Sequence, residues 1–577
     1  MAEYSVKVGG EPIEINLEDS SLHCHYGVNQ IPQLTLRIKD MDIKKGIVAD
    51  DTVNDGDKKQ PFKMGAKIEI TTELADDKEV VIFSGLITER AIFRDGGTFL
   101  EVIAHGDVIK LTEGPRNFLL DKEVNDFKII EAMYKAADLD TKGITKPALE
   151  AMIQPHYFAY QQTPWRVMMN RILANGLLLV PTPKGNNVVD LTKQEPKAEE
   201  IQIAQSDIEG FRLHQDIRSQ FETVTVSAWD VKQQKMSAPQ EGSGDVVKNE
   251  VGEKNNGLQL VPKVLLLQQG VLASEKENKA RADAELIYRK LDRYRGKVTL
   301  VKHRLKKKVQ LLDSLKLSEF GEAYSGTYRV TAIEHDFNGQ KWSITFTLGL
   351  HLHHSLFSDW LTLPPVPNLI GVVRDFPKEK ENPKEPGLQH IPVGIAAVAK
   401  SKMVWARLLS PYAGKEVGLF FPPSPGDEVI VSFVGGDCRY PVIIGATHNP
   451  KNKPPVPFKE GKLKRGVYLK HSEKKEKEKK AKEVSYASLV FDVENADLCL
   501  KVEKVKGGQT TMKIGGGTKG FVLEAKDKDK KSQAGLSIDK GLILQGDEKN
   551  SITLAKDIDI KTNGNVNIKV GKKVEIK

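Results

Sequence analysis

Large aliphatic residues recur every eight positions toward the C-terminal end: Leu536, Leu544, Ile552, Ile560, Ile568 and Ile576. A second row runs two positions earlier, through Leu542, Ile558, Val566 and Val574, and is interrupted by Asn550. A third holds Ile538, Leu554 and Val570, two positions later. All share one parity, so in an extended chain they point to one face, with Ile543 the exception. Lys, Asp, Asn, Thr and Ser occupy the other face. This regularity predicts a fibrous β-helix. A lone ribbon with one apolar face has nothing to bury it against, so three copies winding about one axis are expected. The competing reading is the edge of a two-sheet β-sandwich. Its strands also alternate, but they do not hold an eight-residue spacing through six repeats.

Upstream, the pattern is that of short strands. Ile31–Ile38, Lys67–Ile70 and Val80–Ile87 alternate, as do Phe221–Ala228 and Tyr328–Leu350. Three helices interrupt them. One covers Asp126–Ala137. The next opens at Thr163-Pro164-Trp165, with Thr as N-cap and Pro at the first helical position, and stops at Gly176. The third is the charged stretch Ala273–Tyr294. A stiff boundary lies at Leu363-Pro-Pro-Val-Pro367, followed by a compact Gly- and Pro-rich β segment, Leu369–Thr447. Residues 451–484 turn to Lys, Glu and Pro and read as a solvated linker or loop. Strands resume at Ser485.

A chain of 577 residues exceeds a single core, so three or four domains are expected. Net charge is only +8, and the Lys-rich run 474–480 mixes signs and lacks aromatics, which argues against a nucleic-acid surface. Three cysteines, Cys24, Cys438 and Cys499, make no disulfide framework and fit synthesis in a reducing cytoplasm. The N-terminus alternates like a strand without an apolar signal core. No apolar run is long enough to span a bilayer as a helix. Export, if it occurs, is expected without a classical signal.

The segment after the Pro boundary carries several motifs in register: Leu369–Arg374, Trp405-Ala-Arg407-Leu and Gly418-Leu-Phe-Phe-Pro422, then Pro425-Gly426-Asp427-Glu428-Val429 leading to Phe433, Gly436-Asp437, and Arg439-Tyr-Pro441-Val-Ile-Ile-Gly445. It resembles the OB-fold of the VgrG family and of related phage tail-spike proteins. Asn29–Ile38, Phe83-Ser84-Gly85, His105-Gly106, Asn175-Gly176-Leu177, Val224–Asp230 and Tyr328–His335 are similar to elements of that family's N-terminal barrels.

The resemblance implies a mainly β chain with α insertions: a hub of two β-barrels over 1–363, an OB-fold over 364–450, the linker over 451–484, and an intertwined triple-stranded β-helix needle over 485–577. It implies a homotrimeric spike of a contractile injection system, made in the bacterial cytoplasm and exported within the particle. The partners implied are an Hcp-like inner-tube protein, baseplate proteins, cargo effectors and a PAAR-type tip protein. The tip would sit on an apex formed by Val574, Ile576 and Lys577, and contact with a target membrane would be transient. Type VI secretion, an extracellular particle and a phage are left open. The basic run that follows the family's Leu-Thr element is reduced here to Pro115-Arg116, and Pro377–Gly387 is an unusually polar insert. No lysozyme-like insertion precedes the needle and no effector domain is expected to follow it, so cell-wall cleavage and toxin activity are not carried over. The alternative is a trimeric tailspike fibre that degrades polysaccharide, which would need a groove with paired carboxylates.

No catalytic, cofactor-binding or metal residue is expected. His351, His353 and His354 form the densest His cluster but read as a polar strand-to-linker junction rather than a metal site. In His23-Cys24-His25, alternation sends both histidines to one face and the thiol to the other. Gly515-Gly516-Gly517 lacks P-loop spacing. Ser243 lies in a polar loop and not in a nucleophile elbow. Oligonucleotide binding by the OB-fold would need exposed aromatics in a basic groove. Phe420, Phe421 and Phe433 fall at strand-like positions, where burial is expected.

Overall fold

The computed structural model describes residues 4–545 apart from 16, 41–61, 76, 122, 143, 145–152, 155, 192–199, 219, 232, 244–262, 351–364, 377–389, 400, 457–463, 474–482, 505–507, 519, 528–529 and 538–540. It divides into two compact units, Met1–Thr447 and His448–Lys577.

In the first unit a thirteen-stranded sheet carries most of the hub. Its seam is the antiparallel pairing of Ser20–Gly27 with Gly326–Phe337, from Gly27 opposite Ala332 to Leu22 opposite Phe337. Along Ser20–Gly27 the alternation holds: Leu22, Cys24 and Tyr26 are buried. Among the described residues Gly326–Phe337 is long enough to bond Ser314–Leu317, Trp342–Leu348 and Ser20–Gly27, and a four-stranded sheet and two two-stranded sheets of the hub are separate from the thirteen-stranded one.

Helices α1 (Asp126–Ala136), α2 (Pro164–Ala174) and α3 (Glu275–Arg293) lie where periodicity put them. Each is started by a side-chain cap that satisfies an otherwise orphan backbone N–H. Asn125 accepts from Lys128 N at 2.9 Å, Thr163 from Arg166 N at 3.2 Å and Ser274 from Glu277 N at 3.2 Å. In α3, Glu275 and Glu277 occupy the first turn and Lys290 and Arg293 the last, in line with the helix dipole. Gly176, past the end of α2, has φ +71°, and a Cβ there would sit 3.1 Å from the Ala284 Cα of α3. The glycine therefore both stops α2 and allows α3 to approach.

The OB segment closes into a five-stranded barrel in the order Leu369–Val373, His390–Gly394, Val404–Leu408, Pro441–Thr447 and Glu428–Phe433. Its one parallel pairing is Val404–Leu408 with Pro441–Thr447. Val429, Val431 and Phe433 alternate into the interior with Val393, Ala406 and Ile443. Barrel closure removes the sheet edges that would otherwise invite uncontrolled pairing.

The second unit is a seven-stranded meander: Arg465–Glu473, Glu483–Asp492, Asp497–Lys504, Gln509–Gly515, Gly520–Asp527, Lys530–Ser537 and Gly541–Gln545. Successive strands pair antiparallel. The first corrects the linker expected over 451–484. Arg465–Glu473 pairs residue for residue with Glu483–Asp492, from Arg465 opposite Phe491 to Glu473 opposite Glu483. Its Lys and Arg content hid the alternation of Val467 and Leu469. The run 474–480 lies outside the described residues.

Candidate functional site

The register of the meander fixes which residues share a face. Val467 opposes Leu489, Leu489 opposes Leu500, Leu500 opposes Met512, and Met512 opposes Leu523. The same face continues through Phe521 opposite Leu536, Leu536 opposite Leu542, and Ala534 opposite Leu544. Ile543 opposes Gly535 on the reverse face, beside Lys513 and Glu524 in the same parity. Within one chain this apolar face is left open: Leu469 is 49 % exposed, Phe491 50 %, Leu500 45 % and Val502 52 %. Ile552, Leu554, Ile558, Ile560, Val566, Ile568, Val570, Val574, Ile576 and Lys577 lie outside the described residues.

The OB motif residues are structural, and each answers a backbone need. Gly426, at φ +92°, turns the chain after Pro425 and donates its N–H to Val373 O at 2.9 Å. Asp427 accepts from Ser424 N at 2.8 Å, and Glu428 accepts from Thr447 Oγ1 at 2.5 Å. Pro441 opens the last strand, and Gly445 sits beside the bulge where Ile430 and Val431 change register. Gly436, at φ +74°, has no room for a Cβ, which would lie 2.3 Å from the Pro365 Cβ.

Asp437 and Arg439 do more than close a turn. The guanidinium donates through Nη2 to Asp437 Oδ2 at 2.6 Å and through Nε to both carboxylate oxygens. Its Nη1 reaches Glu277 Oε1, in the first turn of α3, at 2.7 Å. Burial alone would push the Asp437 carboxyl up, but the charge and hydrogen bonds of Arg439 hold it below the ordinary carboxylate range. Around this junction Phe158 packs edge-to-face on Phe433 at 5.3 Å, Lys402 donates to Leu119 O at 2.8 Å, and His156 Nε2 lies 3.2 Å from Cys438 O. Burial lowers the His156 imidazole to about 4 and raises the Cys438 thiol to about 12.

Phe433 is buried, but Phe420 and Phe421 are 68 % and 54 % exposed, which corrects the burial read from sequence. They follow the two-residue pairing of Ala413–Gly414 with Val417–Gly418, an arm outside the barrel interior. At the hub seam the two histidines of His23-Cys24-His25 face outward. His23 Nδ1 lies 2.6 Å from Asp336 Oδ1, and His25 Nδ1 lies 3.6 Å from Glu334 Oε1, while Cys24 is fully buried. Ser243 contacts Asp283 of α3 through N–H at 2.7 Å and Oγ at 3.1 Å. Gly515–Gly517 is a turn in which Thr518 donates to Asp497. His351, His353 and His354 lie outside the described residues, as does the insert 377–387.

Residues 1–339 match the model of the family described as the Alg8 N-terminal domain. The chain belongs to that family. Residues 371–448 also match the type VI secretion system/phage-baseplate injector OB domain, over the closed barrel. Over 59 residues the chain is 36 % identical to the type VI secretion system spike protein VgrG2a of Pseudomonas aeruginosa, covering 10 % of this chain and 7 % of that protein. Over 60 residues it is 40 % identical to the actin cross-linking toxin VgrG1 of Vibrio cholerae, covering 10 % of this chain and 6 % of that one. The matches thus span under a tenth of these curated relatives. In fold, the chain is similar to the Francisella PdpA-VgrG complex in its lidded form, with TM-score 0.52 at 9 % identity, over 94 % of this chain and 79 % of that one. This Alg8-family chain is mainly β, with a barrel that matches the injector OB domain and a short stretch similar to VgrG spike proteins.

Proposed function

We propose that three copies of this chain form the central spike of a contractile injection system, with residues 485–577 winding into a triple-stranded needle. The observation that carries the reading is the apolar face running from Val467 to Leu523, which a single chain leaves open. Burying it between copies removes aliphatic side chains from water at about 1.5–3 kcal/mol each. It also makes unfolding of one chain depend on all three. The polar reverse face suits passage through an envelope without stable insertion.

The hub is assigned to the Hcp-like inner tube and the baseplate proteins. The OB barrel is a rigid element tied to the hub by the Arg439 junction. The apex at Val574, Ile576 and Lys577 is assigned to a PAAR-type tip protein, because strand ends need a cover. The spike would puncture the target membrane on contraction and deliver any cargo effectors held with it. It would act mechanically and not as an enzyme, leaving the cytoplasm as part of the particle. Among the described residues no helix is long and apolar enough to cross a membrane.

Deleting the gene in its source cell and imaging contractile particles by cryo-electron tomography tests the role. Loss of assembled sheath and tube, restored by the intact chain but not by one ending before the meander, supports it. Normal contractile particles without the chain would refute it.

A further inference from the structure

The strand Glu200–Ile203 pairs on one side only among the described residues, in parallel with Ser314–Leu317. Beside it lies a cleft of about 320 Å³. Three successive residues, Ile201, Gln202 and Ile203, line one wall, so the strand's backbone borders the cleft along with its alternating side chains. Leu300 and Leu305 complete an apolar floor with the buried Ile201 and Ile203.

The rim is basic. Arg304, Lys306 and Lys307 line it, within the run Lys302-His-Arg-Leu-Lys-Lys-Lys308. One carboxylate, Asp207, lies among them, 3.6 Å from Arg304 and 3.5 Å from Lys306. Lys306 keeps 82 % of its side chain in solvent. The cleft thus combines a strand edge without a second neighbour among the described residues, an apolar floor and a basic rim.

An open strand edge is a template for another strand, and proteins usually cover it or pair it. Added strands gain affinity from main-chain hydrogen bonds and specificity from alternate side chains. Here one face of an added strand would meet the aliphatic floor and the other the cationic rim. We propose that this edge receives an extended segment of a partner protein in which apolar residues alternate with Asp or Glu. Exposed aromatics, which single-stranded nucleic acid would need for stacking, do not line the cleft. The inference is independent of the needle and of trimer formation.

The probe is a fluorescent, end-blocked octapeptide alternating Val with Glu, titrated against the full chain by anisotropy at low and high salt. Saturable binding is expected, weakening with salt and falling at least tenfold for the Lys306→Glu/Lys307→Glu double variant. A Val–Lys peptide should not bind. The Val–Glu peptide with alternate backbone nitrogens methylated should lose most of its affinity, which tests the strand edge without altering the protein. Absence of saturable binding overturns the proposal. So does binding that survives the charge reversal, binding indifferent to methylation, or equal competition by a single-stranded oligonucleotide.

Discussion

Arg439 Nη1 donates to Glu277 Oε1 at 2.7 Å, across 162 positions of sequence, while the same guanidinium holds Asp437. The contact joins the last turn of the OB barrel to the first turn of α3. The Arg439 side chain is 9 % exposed, so its charge is compensated locally and not by water. Breaking a buried pair by removing one partner leaves an uncompensated charge and costs about 3–5 kcal/mol. Arg439→Met should therefore lower the melting temperature of the full chain. Glu277→Gln should add little in the Arg439→Met background, since both act through one contact. Calorimetry of the two single variants and the double variant checks this.

The two OB glycines should respond differently to alanine. A Cβ added at Gly426, at φ +92°, would meet nothing within 4 Å, so Gly426→Ala should cost about 1 kcal/mol from backbone strain alone. Gly436→Ala adds a clash at 2.3 Å with Pro365, and overpacking of this kind costs about a further 1–3 kcal/mol. Denaturant unfolding should rank Gly436→Ala as clearly the worse.

Acid should weaken the chain well above the carboxylate range. His156 and His335 are both buried, and burial lowers each from 6.5 to about 4. The folded state keeps them neutral while the unfolded chain takes up protons below 6.5. Stability is full above that pH and is lost as pH falls toward 4, by on the order of 3 kcal/mol for each group. His156→Gln should flatten the fall between pH 6.5 and 4, read from melting temperature against pH.

Opposite faces of the meander should differ in kind. Leu500 lies on the open apolar face and is 45 % exposed; Lys501 points the other way. Leu500→Asp should abolish self-association, and Lys501→Asp should leave it intact. Sedimentation velocity of the two variants separates them.

Much of this architecture was legible from local pattern. Thr163-Pro164 and Gly176 bracketed α2 because caps and stops are local chemistry. Strand parity placed Leu536, Leu542 and Leu544 together and set Ile543 apart, because side-chain direction in a strand depends only on position. The OB barrel was read from a resemblance carried by several motifs in register between Leu369 and Gly445. Arg465–Glu473 was missed because composition averaged over a window masks alternation. The exposure of Phe420 and Phe421 was missed because apolar character alone does not say whether a partner surface lies within the same chain. The Arg439–Glu277 contact and the thirteen-stranded hub sheet depend on pairings between distant segments, which no local pattern encodes.

The central claim is that the apolar face of the meander is closed by other copies of the chain. The native mass in solution, without denaturant, of the full chain and of a form ending at Lys530 tests it most directly. The account predicts a full-length species at three times 64.1 kDa, weakened or lost on truncation. A full-length chain that stays at 64.1 kDa at micromolar concentration would contradict it.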